Sequence, residues 1–327
     1  MILITGGAGF IGSNLAAALA DQGVPVALCD RLRSGSKWRN IGKLELRDLV
    51  APERLEAWLE EQGSALDAIV HMGAISATTE TDADLIVAVN FRLSQMLWRW
   101  CARTGRRFIY ASSAATYGGA EVGFEDDWSM AALARLRPLN AYGWSKLLFD
   151  RWAVREVALG NGQPGQWVGL KFFNVYGPNE YHKGSMQSVV AQKYAAAAAG
   201  EPVTLFRSHR DGISDGGQRR DFVYVADCVQ VMLWLLGNPK VNGIFNLGTG
   251  KARSFAELAT ALYAAVGQPP RLTYVDTPVA IRPNYQYFTE ARMDRLRSAG
   301  YARPFMTLEE GVRDYVQRFL SQPDPYR

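Results

Sequence analysis

The sequence predicts an α/β fold in which helices cover both faces of a doubly wound parallel sheet. Three observations predict it: short apolar runs recur along the chain, helical segments separate them, and a glycine-rich turn joins the first run to the first helix. The chain has 327 residues, enough for one large or two modest domains with a sizeable core.

The N-terminus is predicted to form a strand, a turn, a helix and a second strand. Met1–Thr5 is a short apolar run that suits a buried parallel strand, and Ser13–Gln22 is rich in Ala and Leu, which favour helix. Val24–Cys29 is a second apolar run, which ends at Asp30. This order is typical of the first unit of a parallel sheet.

Further buried strands are predicted from apolar runs at Ala68–His71, Arg107–Ala111 and Trp167–Phe173, with a helix over Leu85–Arg103. After Asn174 the chain becomes rich in turn residues. We therefore expect residues 1–173 plus about 219–249 to form a dinucleotide-binding domain. Residues 174–218, approximately, plus 250–327 would form a smaller α/β substrate lobe.

Within the second part, Gly184–Gly200 contains a run of alanines and is predicted to be a helix. Ser208–Gln218 is rich in Gly and Asp, which predicts a surface loop. Phe222–Leu236 and Ile244–Leu247 are apolar and are predicted to return to the sheet.

Composition excludes several functional classes. Lys and Arg number 36 and Asp and Glu 32, so the net charge of +4 is too small to indicate a nucleic-acid partner. The three cysteines and three histidines are scattered, which predicts neither a disulfide framework nor a metal site. No apolar run reaches the roughly 20 residues of a membrane span, and no leader precedes Met1–Thr5, so we expect a cytoplasmic protein with no membrane partner.

A dinucleotide site is predicted at the first turn. Gly6, Gly9 and Gly12 follow a strand and enter a helix, where backbone N–H groups and the helix dipole favour a pyrophosphate. Asp30 ends the next strand, where a carboxylate holds a ribose hydroxyl and favours NAD. Arg31 and Lys37, with Arg33 nearby, favour the 2′-phosphate of NADP. We expect NADP, with NAD usable.

A catalytic group is predicted around Tyr142 and Lys146. Residues four apart share one face of a helix, and an ammonium beside a phenol lowers the pKa of that phenol. Ser113 ends a predicted strand and can hydrogen-bond the substrate oxygen that loses its proton. Together with the glycine turn, these residues predict hydride transfer between an alcohol and a ketone.

The sequence resembles the extended short-chain dehydrogenase/reductase family over nearly its whole length. The markers are Thr5–Gly12, the Tyr142/Lys146 pair and Arg220–Val225. The resemblance implies a Rossmann-type domain, a smaller substrate lobe, and action on a nucleotide sugar bound between them. Arg220 is expected to grip the diphosphate, because guanidinium groups match phosphate oxygens.

Three segments, His71–Glu80, Ser112–Gly119 and Asn174–Met186, are similar to those of family members that epimerise ADP-linked heptoses. The resemblance implies that Tyr142 and Lys183 are paired acid/base residues. An epimerase returns hydride to the opposite face of a ketone, and one acid/base residue cannot easily serve both positions of the oxygen.

The resemblance also implies binding residues. For the cofactor these are, besides the residues above, Phe10, Ile11, Asp48, Leu49, Met72, Gly73, Ala74, Ser76, Asn90, Tyr142, Lys146 and Val175. For the substrate they are Ser113, Asn174, Ser185, Gln192, Phe206, Arg207, Ser208, His209, Arg220 and Tyr285. Met72 and Gln192 stand where the family often has Glu and His. The resemblance further implies a homo-oligomer, often a pentamer.

Other functions remain open. A UDP-hexose 4-epimerase needs the same Ser, Tyr and Lys, although the segments at Thr78–Glu80 and His182–Ser185 disfavour it. A 4,6-dehydratase usually has an acidic pair near Thr116, which this chain lacks. A non-catalytic dinucleotide-sensing protein usually lacks the Tyr or the Lys, and both are present here.

Overall fold

Seven parallel strands form the central sheet of the computed structural model, which describes residues 1–327 except the side chains of Ala280, Pro283 and Asn284. The order along the sheet is β10-β6-β5-β4-β1-β2-β3. These strands are β1 Ile2–Thr5, β2 Val26–Cys29, β3 Asp48–Val50, β4 Ala68–His71, β5 Arg107–Ser113, β6 Gln166–Phe172 and β10 Gly243–Leu247.

The other strands form two small sheets, of order β11-β9-β7 and β12-β8. They are β7 Asn174–Tyr176, β8 Val203–Phe206, β9 Arg219–Tyr224, β11 Ala252–Ser254 and β12 Leu272–Val275. The helices are α1 Phe10–Asp21, α2 Leu55–Gln62, α3 Ala83–Ile86, α4 Leu93–Thr104, α5 Met130–Arg135, α6 Ala141–Ala158, α7 Val189–Ala198, α8 Val225–Gly237, α9 Phe255–Val266, α10 Asp294–Ser298 and α11 Leu308–Tyr315.

The order of the central sheet reverses between β1 and β4. The chain runs from β1 outward to β2 and β3, then returns to β4 beside β1 and continues outward to β5 and β6. All six strand pairs of this sheet are parallel. The predicted doubly wound fold is therefore confirmed. Ligands of such sheets bind in the crevice at the carboxyl ends of the strands, where the order reverses.

Each face of the central sheet has its own apolar core. On one face, Trp98 of α4 is 1% exposed and its ring packs on Phe108, Phe149, Trp152 and Trp167, with ring centroids 5.6–6.3 Å apart. The other face is covered by α1 and α8, whose Ala, Leu and Val side chains meet the second core. Helices on both faces explain why most of the residues in these strands are apolar and buried.

Two segments differ from the prediction. The helix expected from Gly184 begins at Val189, because Gly184 has φ +55° and the Ser188 side chain caps the helix by accepting from the Ala191 N–H. The segment Phe222–Leu236 is the end of β9, in a small sheet, followed by α8, and only β10 returns to the central sheet. The division of the chain into two domains stays a prediction.

Candidate active site

The glycine turn after β1 lies directly against the loop after β4. Gly6 has φ +64°, and a Cβ placed on it would lie 2.6 Å from the backbone nitrogen of Gly73. A Cβ on Gly12 would collide with the Gly6 carbonyl oxygen. Glycine is therefore required at both positions. The backbone at the start of α1 is left free of side chains, which fits the pyrophosphate of a dinucleotide.

Asp30, predicted to bind the ribose, holds the glycine turn in place. One carboxylate oxygen accepts from the Ala8 N–H at 2.9 Å, and the other accepts from Lys37 Nζ at 2.5 Å. The guanidinium of Arg31 is instead paired with Glu53. The structure therefore brings Lys37 to Asp30 and places the Arg31 head group away from that carboxylate.

A cluster of basic groups lies beside the glycine turn. Lys183 Nζ lies 5.1 Å from the centroid of the Phe10 ring, at the start of α1. Burial, together with the charges of Lys37 and Lys183, lowers the pKa of the neighbouring His182 to about 4. Lysines from two segments that are distant in sequence therefore meet beside the glycine turn.

The loop that carries Lys183 is closed by a buried carboxylate. Glu180 accepts from the N–H of Ser188 at 2.5 Å, from the Ser188 hydroxyl at 2.6 Å and from the N–H of Gly177 at 3.3 Å. It therefore holds both ends of the loop. Burial lowers the pKa of Lys183, and the charge of Glu180 opposes that effect.

Ser113, Tyr142 and Lys146 meet where β5 ends and α6 begins. Lys146 Nζ donates to the carbonyl of Ala111 at 2.7 Å, and Ser113 Oγ accepts from the Ala115 N–H at 3.1 Å. Burial raises the pKa of Tyr142, and the nearby Ser113 side chain opposes the rise. The lowering of the Tyr142 pKa by Lys146 that the sequence predicts is not found, because burial dominates and favours the phenol.

Burial lowers the pKa of Lys146 to about 8, whereas the charge of Asp150, one helical turn further on, raises it. Lys146 therefore loses its proton far more readily than a lysine on the surface. Tyr142, Ser113 and Lys146 together offer a phenol, a hydroxyl and an ammonium to an alcohol or ketone oxygen, which are the groups that proton transfer requires.

A chain of hydrogen-bonding contacts holds the loop after β4 in place. Thr5 Oγ1 accepts from the Gly73 N–H at 3.2 Å and lies 2.5 Å from His71 Nδ1, while His71 Nε2 lies 2.9 Å from Ser94 Oγ. Burial lowers the pKa of His71 to about 3. A neutral imidazole thus links the turn after β4 to the helix before β5.

Asn90 clamps the same loop at Ile75. Its amide oxygen accepts from the Ile75 N–H at 2.8 Å, and its amide nitrogen donates to the Ile75 carbonyl at 3.0 Å. The Asn90 amide also donates to Ser145 Oγ at 3.0 Å. Asn90 therefore joins the predicted cofactor loop to the catalytic helix α6. Within this loop Met72, Gly73 and Ala74 are partly buried, whereas Ser76 is exposed.

Aromatic side chains surround Arg220, the arginine predicted to bind the diphosphate. The Arg220 guanidinium lies 5.4 Å from the Tyr285 ring and donates to the backbone carbonyl of Gln286. The Tyr285 ring lies 6.4 Å from Phe206 and 5.9 Å from His209. Four of the predicted substrate residues are thus brought together. A guanidinium group can bind phosphate oxygens, and aromatic rings can stack on the base of a nucleotide.

Two of the other predicted substrate residues contact each other, and three contact different residues. Gln192 donates to the Ser185 carbonyl at 3.2 Å, so these two residues are brought together. Asn174 Oδ1 accepts from Thr289 at 3.4 Å. Arg207 is exposed and pairs with Asp215, and the Ser208 N–H donates to the Asp215 carboxylate.

Three predicted cofactor residues have other principal contacts. Asp48 begins β3, and its carboxylate accepts from the indole N–H of Trp58 at 2.7 Å. Leu49 is exposed on the same strand. Val175 pairs with Val223 in the small sheet β7-β9. Ile11 is partly buried and packs against two apolar cores, one on either side of α1.

Sequence reasoning missed several side chains that support the site. Asn40 donates to the Ala8 carbonyl at 2.9 Å and to the Asn179 carbonyl at 3.0 Å, which joins the glycine turn to the Lys183 loop. The Tyr287 hydroxyl lies 2.9 Å from His209 Nδ1. Asp150 and Lys171 form a buried pair behind Ser113. Only Asp150, one turn after Lys146, had a spacing that could have revealed it.

Metal sites and membrane spans were sought among the described residues. Their His, Cys, Asp and Glu side chains form no group of three or more that could hold a metal ion. In the same part of the chain, none of the helices combines the length and apolar character of a membrane span.

Comparisons with known proteins agree with this geometry. The sequence profile of the NAD dependent epimerase/dehydratase family matches residues 2–248. A relative from Nitratidesulfovibrio vulgaris strain DP4, an ADP-L-glycero-D-manno-heptose-6-epimerase, is 49% identical over 100% of both chains. A relative of the same description from Fusobacterium nucleatum is 46% identical over 100% of both chains.

Solved structures are similar over almost the whole chain. The Helicobacter pylori ADP-L-glycero-D-manno-heptose-6-epimerase has a TM-score of 0.79 and 30% identity, covering 97% of this chain and 95% of that one. The Thermus thermophilus UDP-glucose 4-epimerase in complex with NAD has a TM-score of 0.75 and 28% identity, covering 96% and 97%.

Proposed function

Because this chain belongs to the NAD-dependent epimerase/dehydratase family and so uses a nicotinamide dinucleotide, we propose that it interconverts ADP-D-glycero-D-manno-heptose and ADP-L-glycero-D-manno-heptose. The observation that carries the proposal is the Lys183 loop, closed by Glu180 and seated against Phe10 at the glycine turn. It supplies a second acid/base group besides Tyr142. The full-length relatives described as heptose epimerases support the choice of sugar.

The reaction is a transient oxidation at C6″ followed by reduction on the opposite face. A nicotinamide dinucleotide held at the glycine turn of Gly6, Gly9 and Gly12 would supply the hydride chemistry at the sugar carbon. Lys183, whose pKa burial lowers, accepts the hydroxyl proton, and Tyr142, whose pKa burial raises, donates a proton to the oxygen after the ketone has turned. In the reverse direction the two residues exchange roles. A proton must return from Lys183 to Tyr142 between turnovers.

Ser113 and Lys146 support Tyr142. Ser113 lies close enough to Tyr142 to oppose the rise in its pKa, so a substrate oxygen that binds between them would meet two hydroxyl groups. The Lys146 ammonium stabilises the phenolate that forms when Tyr142 gives up its proton. In this proposal Tyr142 and Lys183 each serve one of the two positions that the sugar oxygen would occupy.

The smaller lobe would hold the ADP group. Arg220 pairs with the diphosphate, and Tyr285, Phe206 and His209 surround the base. Asn174, Ser185 and Gln192 would contact the sugar. Gln192 has no charge, so its contribution is a hydrogen bond rather than an ion pair.

We propose NADP as the cofactor, with NAD usable. Lys37 already neutralises the carboxylate of Asp30, so a 2′-phosphate would meet less repulsion there than at an unpaired aspartate. Arg31 would have to leave Glu53 to reach that phosphate. The proposal extends to a cytoplasmic homo-oligomer, a pentamer by family resemblance, that makes heptose for the inner core of lipopolysaccharide.

The deciding experiment is proton NMR of the purified protein with ADP-D-glycero-D-manno-heptose and no added cofactor. Appearance of the L-glycero epimer supports the substrate and a retained cofactor. If only starting material remains, also after addition of NADP, the heptose assignment fails. Turnover of a UDP-hexose in a parallel sample would then favour a 4-epimerase.

Three variants test the residue roles in the same assay. Tyr142→Phe and Lys183→Met should each lower the rate at least about 100-fold, because each removes one acid/base group. Lys240→Met, at an exposed lysine, is the matched control and should retain the wild-type rate. Wild-type turnover in either active-site variant would refute the two-residue mechanism.

A further inference from the structure

Behind the catalytic serine lies a fully buried ion pair that the mechanism does not use. Asp150 on α6 and Lys171 on β6 are 2.9 Å apart, and their side chains are 0% and 1% exposed. Asp150 also accepts from the hydroxyl of Tyr110 at 3.0 Å and from the hydroxyl of Ser112 at 2.7 Å. Lys171 also donates to the hydroxyl oxygen of Thr116 at 2.7 Å.

These contacts involve residues on both sides of Ser113 in the sequence. Ser112 precedes it, and the Thr116 hydroxyl donates back to the Ser113 carbonyl at 2.8 Å. Ser112 and Lys171 are direct neighbours in the register of β5 and β6. The pair therefore ties together α6, β5, β6 and the turn after β5, which are the elements that place Ser113 beside Tyr142.

The pair also sets the charge around Lys146. Asp150 follows Lys146 by one helical turn, and its charge raises the pKa of that lysine. The other titratable groups around Lys146 are His71 on β4, which is neutral, Tyr142 on its own helix and, through Asp150, Lys171. The carboxylate of Asp150 is the acidic group among them.

We propose that Asp150 and Lys171 are positioning residues for the reaction: together they hold the turn that carries Ser113, and they balance the charge that keeps Lys146 an ammonium. This inference rests on the proposed function, since it assigns Ser113, Tyr142 and Lys146 to catalysis. A pair that served stability alone would affect the melting temperature without changing the ionisation of Lys146.

The test compares the two ways of breaking the pair. Asp150→Asn leaves Lys171 as an unbalanced cation, so the alkaline limb of the kcat–pH profile should shift down by about one pH unit. Lys171→Met leaves Asp150 as an unbalanced anion, so the same limb should shift up. The double variant should return toward the wild-type position, and Lys171→Arg should retain it.

The same shifts are measured without turnover by NMR of lysines labelled at the ε-carbon, with the Lys146 signal identified by its loss in Lys146→Arg. Lack of epimerisation by the wild-type protein overturns the proposed function only, because the NMR titration still decides the inference. The inference is overturned if Asp150→Asn and Lys171→Met have the same alkaline limb of the kcat–pH profile and the same Lys146 titration. If either single variant fails to fold, the conservative variants and the double variant decide the inference. An unshifted Lys146 titration in Asp150→Glu, in Lys171→Arg and in the double variant supports it. A shifted Lys146 titration in the double variant overturns it.

Discussion

The contact between the glycine turn and the loop after β4 makes Gly6→Ala a sharp test of the cofactor site. The new Cβ would lie 2.6 Å from the Gly73 nitrogen, 2.7 Å from its Cα and 2.8 Å from the Met72 carbonyl carbon. These are backbone atoms, so they must move by several tenths of an ångström. Gly6 also has φ +64°, a conformation that alanine adopts at a cost.

Gly23 provides a matched control for this substitution. Its φ is +71°, and among the described residues no atom lies within 4 Å of a Cβ placed on it. Gly23→Ala should therefore cost only the backbone term, about 1–2 kcal/mol. Gly6→Ala adds an overpacking term of about 1–3 kcal/mol, which gives a total of about 2–5 kcal/mol.

Two assays separate these contributions. Urea denaturation gives the free energy of unfolding of each variant, and ultraviolet absorbance of the purified protein gives the amount of retained dinucleotide per chain. We expect Gly6→Ala to lose both stability and dinucleotide, and Gly23→Ala to keep its dinucleotide. Equal losses of stability together with equal dinucleotide content would refute the account of the glycine turn.

Three further predictions follow from the same structure. Glu180→Gln should lower the pKa of Lys183 further and loosen its loop, so activity should fall by about tenfold or more; an unchanged rate–pH profile would contradict this. At His71 the unfolded chain binds a proton near pH 6.5 and the folded chain only near pH 3, so stability should fall as pH drops between these values, by about 1.4 kcal/mol per unit, and His71→Gln should remove that dependence in urea titrations. Trp98→Ala should cost about 3–5 kcal/mol, against less than about 1 kcal/mol for the exposed Trp144→Ala, and equal melting temperatures would contradict the packing described.

Local sequence patterns predicted the structural features that depend only on residues close together in the chain. The strand, glycine turn and helix at the N-terminus need only apolar runs and glycines at one spacing, and the structure has them where expected. The helix that begins at Ala141 likewise brings Tyr142 and Lys146 to one face. The doubly wound fold follows from the repetition of such units.

Long-range pairings could not be predicted in this way. Arg31 pairs with Glu53, and Asp150 with Lys171, because the fold brings together segments whose separation in sequence carries no signal. Similarly, the start of α7 depends on the conformation of Gly184, which is one of many glycines in the chain. Composition and residue spacing indicate which chemical groups a site contains, whereas the pairing of charged side chains depends on the tertiary structure.

The place of β10 in the central sheet has a consequence for how the chain reaches its native state. β10 pairs with β6, yet residues 173–242, which include β7, α7, β8, β9 and α8, lie between them in sequence. During synthesis, β6 therefore waits with one open, apolar edge until residue 247 has left the ribosome. Open strand edges recruit other chains, so this interval is when aggregation competes with folding. A nascent chain stalled with Gly243 still inside the ribosome should accordingly need a chaperone that a chain stalled with Leu247 already outside does not.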